Sequence, residues 1–387
     1  MVRLHHTFLL AVLFALAAPS CSKPEGVPET ERKTAAPETP ESGTGESAKL
    51  CKEEYLGQKP MIVAYLTEYT SASSLDASCV THINYAHGRF KNPKTGDGGI
   101  VIAEPSLLKK VVALKEKKPT LKVLLMIGGW GEHADGFSMM ARDAEKRKAF
   151  CKSCKEHIDT YGLDGIDIDW EYPGGGPSTN GQSKDDAKNF NLMLKELRET
   201  IGDTKIISYA SSSSAKYVEW KGAMNYLDYV NVMTYDMGKP PYHNSTLFKS
   251  PLTRDISCQE SVEKHRQAGV PLSRQNLGVP FYGHGTAPYK EDVKYNEMAE
   301  ILNATSGTYA GKNIFKWDDQ AKVPYLVDDK GTMLLGYDNP ESVGFKGKFA
   351  VDNGMGGVMF WEFRHDDSQG SLRKALCKSI YGKESTQ

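Results

Sequence analysis

The sequence has almost no excess of charge: 48 Lys+Arg stand against 49 Asp+Glu in 387 residues, a net charge of −1. A dedicated nucleic-acid binder usually carries a basic surplus, so the balance argues against that class. Cysteine is scarce, at seven in the whole chain, which excludes a small disulfide scaffold. The one long apolar run, Phe8–Ala18, has eleven residues, whereas a membrane-spanning helix needs about 20. No GxGxxG turn follows the first strand candidate, which weakens a dinucleotide-binding open sheet. What is present is 39% hydrophobic residues, ample for a packed core and incompatible with global disorder. The length suits one large domain or two ordinary ones.

The ends read separately from the rest. Arg3, the apolar run and a small-residue site at Pro19-Ser20 form a secretory signal peptide over residues 1–20. Cys21 follows it and resembles the lipobox cysteine of bacterial lipoproteins, although Ala18 stands where that motif has Leu. Plain secretion is the competing expectation. Residues 21–50 hold four Pro and six Glu but almost no large apolar side chain. Such a stretch buries too little surface to offset its ordering entropy and reads as a flexible linker. Residues 51–387 then form the folded domain, with equal numbers of acidic and basic residues. Its six cysteines permit full disulfide pairing, with the connectivity open. Cys151-Lys-Ser-Cys154 has CxxC spacing, but lacks a second CxxC or His pair and reads as helix packing rather than a zinc or redox site. Asn244 and Asn303 fit the glycosylation sequon.

Past residue 55, short apolar runs alternate with helical stretches. The strand candidates are Met61–Leu66, His82–Ala86, Lys122–Gly128, Gly165–Trp170, Lys205–Ala210, Tyr229–Tyr235, Leu277–Tyr282 and Gly357–Glu362. The helix candidates include Ser106–Glu116, Ala144–Thr160, Lys184–Thr200, Ala215–Asn225, Glu260–Gln267, Pro340–Val351 and Ser371–Ser379. Eight strands, each followed by a helix or long loop, predict an α/β fold of the (β/α)8 TIM-barrel type. The continuous apolar character of runs such as VLLMI fits parallel strands buried on both faces. The long connection before the last strand predicts a small α+β insertion over residues 287–337, between barrel strands seven and eight.

The most informative segment is Leu163-Asp-Gly-Ile-Asp-Ile-Asp-Trp-Glu-Tyr-Pro173. As a strand it puts Asp167, Asp169 and Glu171 on one face and Ile166, Ile168 and Trp170 on the other. Carboxylates so close raise one another's pKa. Glu171 ends the strand, at the catalytic end of such barrels, where acid catalysis of glycoside cleavage needs a protonated group. A solvated edge strand would not carry Ile, Ile and Trp. A calcium loop would carry Gly and polar spacers.

The spacing Asp164-x-x-Asp167-x-Asp169-x-Glu171 resembles the signature of family 18 glycoside hydrolases, the chitinase family. Gly128-Gly129-Trp130, Met233-Thr234-Tyr235-Asp236, Val279–Gly283 and Gly356–Trp361 are similar to further family segments, in the same order. Val323-Pro324-Tyr325 and Tyr337-Asp338 resemble the family's insertion domain. The resemblance implies that Glu171 protonates the glycosidic oxygen while the substrate's own 2-acetamido oxygen attacks, giving an oxazolinium intermediate and net retention. It implies that Asp169 holds the acetamido N–H, with Asp167 behind it sharing protons. Tyr235 would donate to the acetamido oxygen, and Asp236 would bind the distorted sugar. Trp361 would floor the reacting subsite, with Tyr65, Met233 and Tyr282 lining it. Trp130 would be a rim or packing residue. Trp220 and Trp317 read as core or insertion packing. Two positions depart from the family: Met126 replaces the SxGG serine that bonds the middle Asp, and His284 replaces an Arg. The expected activity is hydrolysis of β-1,4-linked N-acetylglucosamine chains by an exported enzyme. An endo-β-N-acetylglucosaminidase acting on N-glycans and a non-catalytic chitinase-like lectin are the alternatives; the presence of Glu171 argues against the lectin. No metal or organic cofactor is implied. The expected partner is the glycan alone, with no nucleic acid, membrane contact only through a lipid on Cys21, and a monomeric state.

Overall fold

The computed structural model describes residues 55–177 and 181–383. The expected signal peptide, linker and lipobox cysteine, together with Cys51, lie outside those residues. In chain order the strands of the first sheet are β1 (Met61–Thr67), β2 (His82–Phe90), β3 (Ile100–Ile102), β4 (Lys122–Gly129), β5 (Gly165–Trp170), β6 (Ile206–Ser212), β7 (Tyr229–Met233) and β8 (Gln275–Pro280). A second group comprises β9 (Tyr282–Gly285), β10 (Asp292–Lys294), β11 (Ile314–Asp318), β12 (Val323–Val327) and β13 (Met333–Gly336), before β14 (Gly357–Trp361) returns to the first sheet.

The first sheet runs β1-β14-β8-β7-β6-β5-β4-β2, and β2 pairs back to β1. Every pairing in this ring is parallel. It is therefore a closed eight-stranded barrel, and its helices cover the outside. The short strand β3, absent from the sequence-based expectation, adds antiparallel to β2. Residues 282–336 supply a separate antiparallel sheet in the order β10-β9-β13-β12-β11.

Parallel strands have helices on one face and the barrel interior on the other, so both faces must be apolar or specifically paired. All seven residues of β1, MIVAYLT, are buried. One apolar layer lies between strands and helices and includes Ile62, Ile83, Ile166, Ile168, Trp170 and Phe360. A second fills the barrel and includes Val63, Tyr65, Leu124, Met126, Ile206, Tyr229, Met233 and Met359. The alternation along β5 divides between the two layers. Ile166, Ile168 and Trp170 join the outer layer, which leaves the acids facing inward.

The helices carry local signals that fix their ends. In Ala144–Tyr161, the Asp143 side chain accepts from the backbone N–H groups of Glu145 and Lys146, and Gly162 ends the helix at φ +67°. Such a cap contributes about 1 kcal/mol. Cys151 and Cys154 lie on the buried face of this helix. Burial pushes the Cys151 thiol up to about 12 and holds Cys154 well above its ordinary value. They are packing residues, not activated thiols. Among the described residues Cys79, Cys151, Cys154, Cys258 and Cys377 are all buried thiols, with no disulfide between them.

Two expected elements are shorter than the pattern suggested. The helix anticipated over Ala215–Asn225 contracts to Trp220–Ala223, because Ala215 adopts a left-handed φ of +60°. The strand anticipated over Tyr229–Tyr235 stops at Met233. Thr234 N–H turns back to the Val232 carbonyl at 2.8 Å, and Asp236 is left-handed at φ +57°. That break swings Tyr235 and Asp236 over the end of the barrel instead of continuing the strand.

Candidate active site

The sequence-predicted residues collect at the C-terminal ends of the parallel strands, where active sites of such barrels lie. Tyr65 comes from β1, Asp167 and Asp169 from β5, and Glu171 from the residue just beyond it. Met233 ends β7, with Tyr235 and Asp236 following. Tyr282 begins β9 directly after β8, and Trp361 ends β14. Tyr65, Met233, Tyr235 and Tyr282 share one buried cluster, with Trp361 packed against it. The Tyr65 and Trp361 rings lie 5.6 Å apart, and Tyr235 meets Tyr282 edge-on at 6.1 Å. Trp130 stands apart from the cluster at the end of β4, 62% exposed. Trp220 is buried, with its indole N–H donated to the Ala215 carbonyl, and Trp317 packs against Phe345.

Close backbone approach fixes the acidic strand. Gly128 of β4 lies opposite Asp169. It takes φ +107°, and a Cβ there would sit 2.2 Å from the Asp169 carbonyl oxygen. Gly176 does the same beyond the strand, where a Cβ would sit 2.2 Å from the Glu171 carbonyl oxygen. Only glycine fits at either point.

The three acids occupy graded environments. Asp167 is fully buried, Asp169 is 4% exposed and Glu171 is 8% exposed. Asp167 Oδ1 accepts from Ser208 Oγ at 2.5 Å and from Asn231 Nδ2 at 3.3 Å. The Asn231 amide also donates to the Tyr65 hydroxyl at 2.9 Å. Burial still outweighs these bonds and pushes Asp167 up to about 7. Burial, then the charges of Glu171 and Asp167, hold Asp169 well above the usual carboxylate range. Burial likewise pushes Glu171 up to about 7, opposed by a hydrogen bond with Tyr172 and reinforced by the negative charge of Asp236. Asp167 Oδ2 and Asp169 Oδ1 are buried without a hydrogen-bond partner. A buried, unpaired carboxylate oxygen is costly. These oxygens therefore favour a proton or a ligand N–H.

Met126 lies opposite Asp167 on β4 and offers it no hydrogen bond. The partner comes from the other side: Ser208 lies opposite Asp167 on β6. With Met126 in place of the family serine the sequence predicts a lost partner for Asp167, whereas Ser208 and Asn231 supply one. The available signal was strand parity, since both are polar residues at inward positions of strands otherwise apolar.

Asp236 is anchored more elaborately than the sequence suggested. Its backbone N–H donates to Asn244 Oδ1 at 2.7 Å, and Asn244 Nδ2 donates to the Tyr282 carbonyl at 3.3 Å. Asn244 is 2% exposed, so this sequon serves the site and offers no acceptor for a glycan. The Asp236 carboxylate accepts from the Tyr282 hydroxyl at 2.7 Å and meets His284 Nε2 at 2.7 Å. His284 Nδ1 lies 2.9 Å from Asp292 Oδ1. His284 Nδ1 also faces the Glu291 carbonyl at 3.3 Å, so the surroundings of both ring nitrogens favour the protonated ring. Burial opposes that charge, but the Asp236 and Asp292 carboxylates outweigh it and raise the His284 pKa.

On the opposite side of the mouth, His87 bonds Glu68 at 2.7 Å and stacks on His133 with ring centres 4.7 Å apart. The His87 ring is 6.3 Å from Trp361. Among the described residues no group of three His, Cys, Asp or Glu side chains is arranged to hold a metal ion.

Comparison with known proteins agrees with this geometry. Chitinase A1 of Niallia circulans is 29% identical over 84% of this chain, which spans 58% of that relative's length, less than two thirds of it. Mouse chitotriosidase-1 is 28% identical over 82% of this chain and 75% of its own. Among solved structures, the Ostrinia furnacalis group IV chitinase superposes with a TM-score of 0.72 at 26% identity, over 83% of this chain and 99% of that one. A family 18 N-acetylglucosaminidase from Paenibacillus barengoltzii gives 0.70 at 27% identity, over 82% and 99%. The model of the glycosyl hydrolases family 18 matches residues 61–366, and this chain belongs to that family.

Proposed function

We propose that the protein hydrolyses β-1,4 bonds in N-acetylglucosamine chains, with retention and with the substrate's acetamido group as nucleophile. The observation that carries this reading is the inward ladder Asp167, Asp169 and Glu171, whose outermost member is pushed up to about 7 at the lip of a buried aromatic cluster. A carboxyl with that pKa keeps much of its proton near neutral pH and can still give it up, as a general acid must. Glu171 would hand its proton to the glycosidic oxygen. Asp169, with an unpaired buried oxygen, would accept the acetamido N–H and orient the acetamido oxygen toward the anomeric carbon. Asp167 would share the proton load behind it. Tyr235, whose hydroxyl has only a weak contact to Met359 Sδ at 3.8 Å, is available to donate to the acetamido oxygen.

Tyr65, Met233, Tyr282 and Trp361 would wall the reacting sugar, since aromatic faces bury sugar C–H surfaces without demanding polar partners. Asp236, held by Asn244, Tyr282 and His284, would take a hydroxyl of the distorted ring. Trp130 would offer its exposed face to a sugar further along the chain. The antiparallel sheet within residues 282–336 would act as an insertion that deepens the groove for a linear polymer. Export through residues 1–20 and lipid attachment at Cys21 are part of the same proposal. Product analysis on chito-oligosaccharides and on a high-mannose glycopeptide, with Glu171→Gln as control, tests it. Cleavage of the oligosaccharides by the wild type alone is expected. Cleavage of the glycopeptide only, or binding of both without cleavage, would overturn the reading.

A further inference from the structure

His87 is aimed into the mouth by an irregularity in its strand. Along β2, Tyr85 packs in the outer layer and Ala86 inside the barrel, so strict alternation would turn His87 outward, toward the helices. The register of β2 against β4 shifts between Tyr85 and Gly88, where three steps along β2 span only two along β4, from Leu125 to Ile127. Such a bulge adds one residue and re-aims a side chain. The His87 ring instead stacks on His133 at 4.7 Å and stands 6.3 Å from the Trp361 ring. Glu68, just beyond β1, holds it: Nδ1 lies 2.7 Å from Glu68 Oε2, and Arg89 pairs with the other carboxylate oxygen. Burial opposes the charge of Glu68, but the hydrogen bond from His87, aided by Arg89, outweighs it and holds the carboxyl below its ordinary value. An ionised carboxylate accepts, so Nδ1 carries the proton and Nε2 is the nitrogen left over. Nε2 has no hydrogen-bond partner among the described residues, yet it is not sealed in: the buried unpartnered polar atoms include Asp167 Oδ2 and Asp169 Oδ1 but not this one. Gly129, at the end of β4, keeps that edge of the ring uncovered. A Cβ there would lie 3.5 Å from His87 Cδ2 and 3.6 Å from Nε2.

We propose that His87 is a specificity residue, whose Nε2 bonds a free hydroxyl of the sugar resting on Trp361. The inference rests on the hydrolase reading of the site and adds to it a polar contact on the side of the mouth away from Asp236. Besides its linkages and its acetamido arm, the reacting N-acetylglucosamine offers two such groups, the 3-hydroxyl and the 6-hydroxyl. Aromatic walls bury the C–H faces of a sugar but demand no particular hydroxyl. A fixed ring nitrogen does discriminate, because it is left without a partner when the hydroxyl is missing or turned away. The stack on His133 and the bond to Glu68 set the ring before substrate arrives, so little rotamer freedom is lost on binding. A hydroxyl can donate to a neutral Nε2 or accept from a protonated one, so the contact holds in either state of the ring.

The test is a cycle between protein and substrate. Initial rates are measured for wild type and His87→Phe on a fluorogenic umbelliferyl chitobioside, and on its two analogues lacking the 3- or the 6-hydroxyl of the sugar that carries the fluorophore. Phe keeps a flat ring for the His133 stack and removes only the nitrogens. The expected result is a loss of about tenfold in kcat/KM for His87→Phe on the parent, a similar loss for wild type on one of the analogues, and no further loss when that analogue meets the variant. Losses that multiply for both analogues would overturn the proposal, as would a variant as active as wild type on the parent. The wild-type arm needs no variant to fold: if neither analogue is cleaved more slowly than the parent, His87 binds no hydroxyl and the proposal fails. In each of these cases cleavage of the parent by wild type leaves the hydrolase reading standing, whereas no cleavage of the parent would sink that reading and this inference together.

Discussion

Replacing Glu171 by Gln should stabilise the protein while abolishing its chemistry, and the size of the effect follows from the site. Burial moves the Glu171 carboxyl from its ordinary 4.5 to about 7 in the folded protein. Between those values the folded state binds more protons than the unfolded chain. Stability therefore falls as pH rises across that window, and the deficit is constant above it. A displacement of this size corresponds to about 3 kcal/mol, at 1.36 kcal/mol per pKa unit. Gln is neutral at every pH and carries no such deficit. Relief of the charge on Asp169 adds in the same direction. Urea unfolding of wild type and Glu171→Gln should therefore nearly coincide at about pH 4.5, with the variant ahead by about 3 kcal/mol at pH 8. Hydrolysis should fall about a thousandfold, within the usual range for a general acid. A stability difference that does not change with pH, or a variant less stable than wild type at pH 8, would refute the reasoning.

Three other outcomes follow from the same geometry. With Glu171 as the proposed general acid, its deprotonation sets the alkaline limb, so kcat/KM should decline as pH rises through about 7, as a pH–rate profile will show. His284→Arg keeps a cation beside Asp236 at all pH values, so any rise in KM that accompanies His284 deprotonation should vanish in it; superimposable KM–pH curves for the two proteins would count against the imidazolium. Ser208→Ala removes the 2.5 Å bond to Asp167 and should raise the Asp167 pKa, at a cost of about 1–2 kcal/mol in chemical denaturation. Away from the site, Lys346 is fully buried and pairs with Asp338 at 2.7 Å. Asp338→Ala should cost about 3–5 kcal/mol by leaving that ammonium unpaired, measured as a lowered denaturation midpoint.

The barrel was legible because its strands are apolar on both faces and punctuated at regular intervals, a pattern that few folds require. The acidic strand was legible for the opposite reason: charges at every second position cannot sit in an apolar strand unless they share a purpose. The supports were harder to see. Ser208 and Asn231 are ordinary polar residues until the register of β5 with β6, and of β6 with β7, places them beside Asp167. Asn244 read as a sequon because its role depends on a chain reversal that brings its amide to the Asp236 backbone. The end of β7 was overrun because apolar and aromatic character continues through Tyr235, while the turn that stops the strand is a backbone event at Thr234 and Asp236. Contacts between distant segments, such as Lys346 with Ser245, leave no trace in local sequence.

The central claim is that the acetamido group of the substrate, and not a protein carboxylate, attacks the anomeric carbon after Glu171 gives up its proton. Initial rates on chitotetraose and cellotetraose, with the anomer of the first product read by NMR, test this most directly, because the two substrates differ only at the 2-position. The account predicts retained β-anomer from chitotetraose and no measurable cleavage of cellotetraose. Comparable cleavage of both, or an inverted first product, would contradict it.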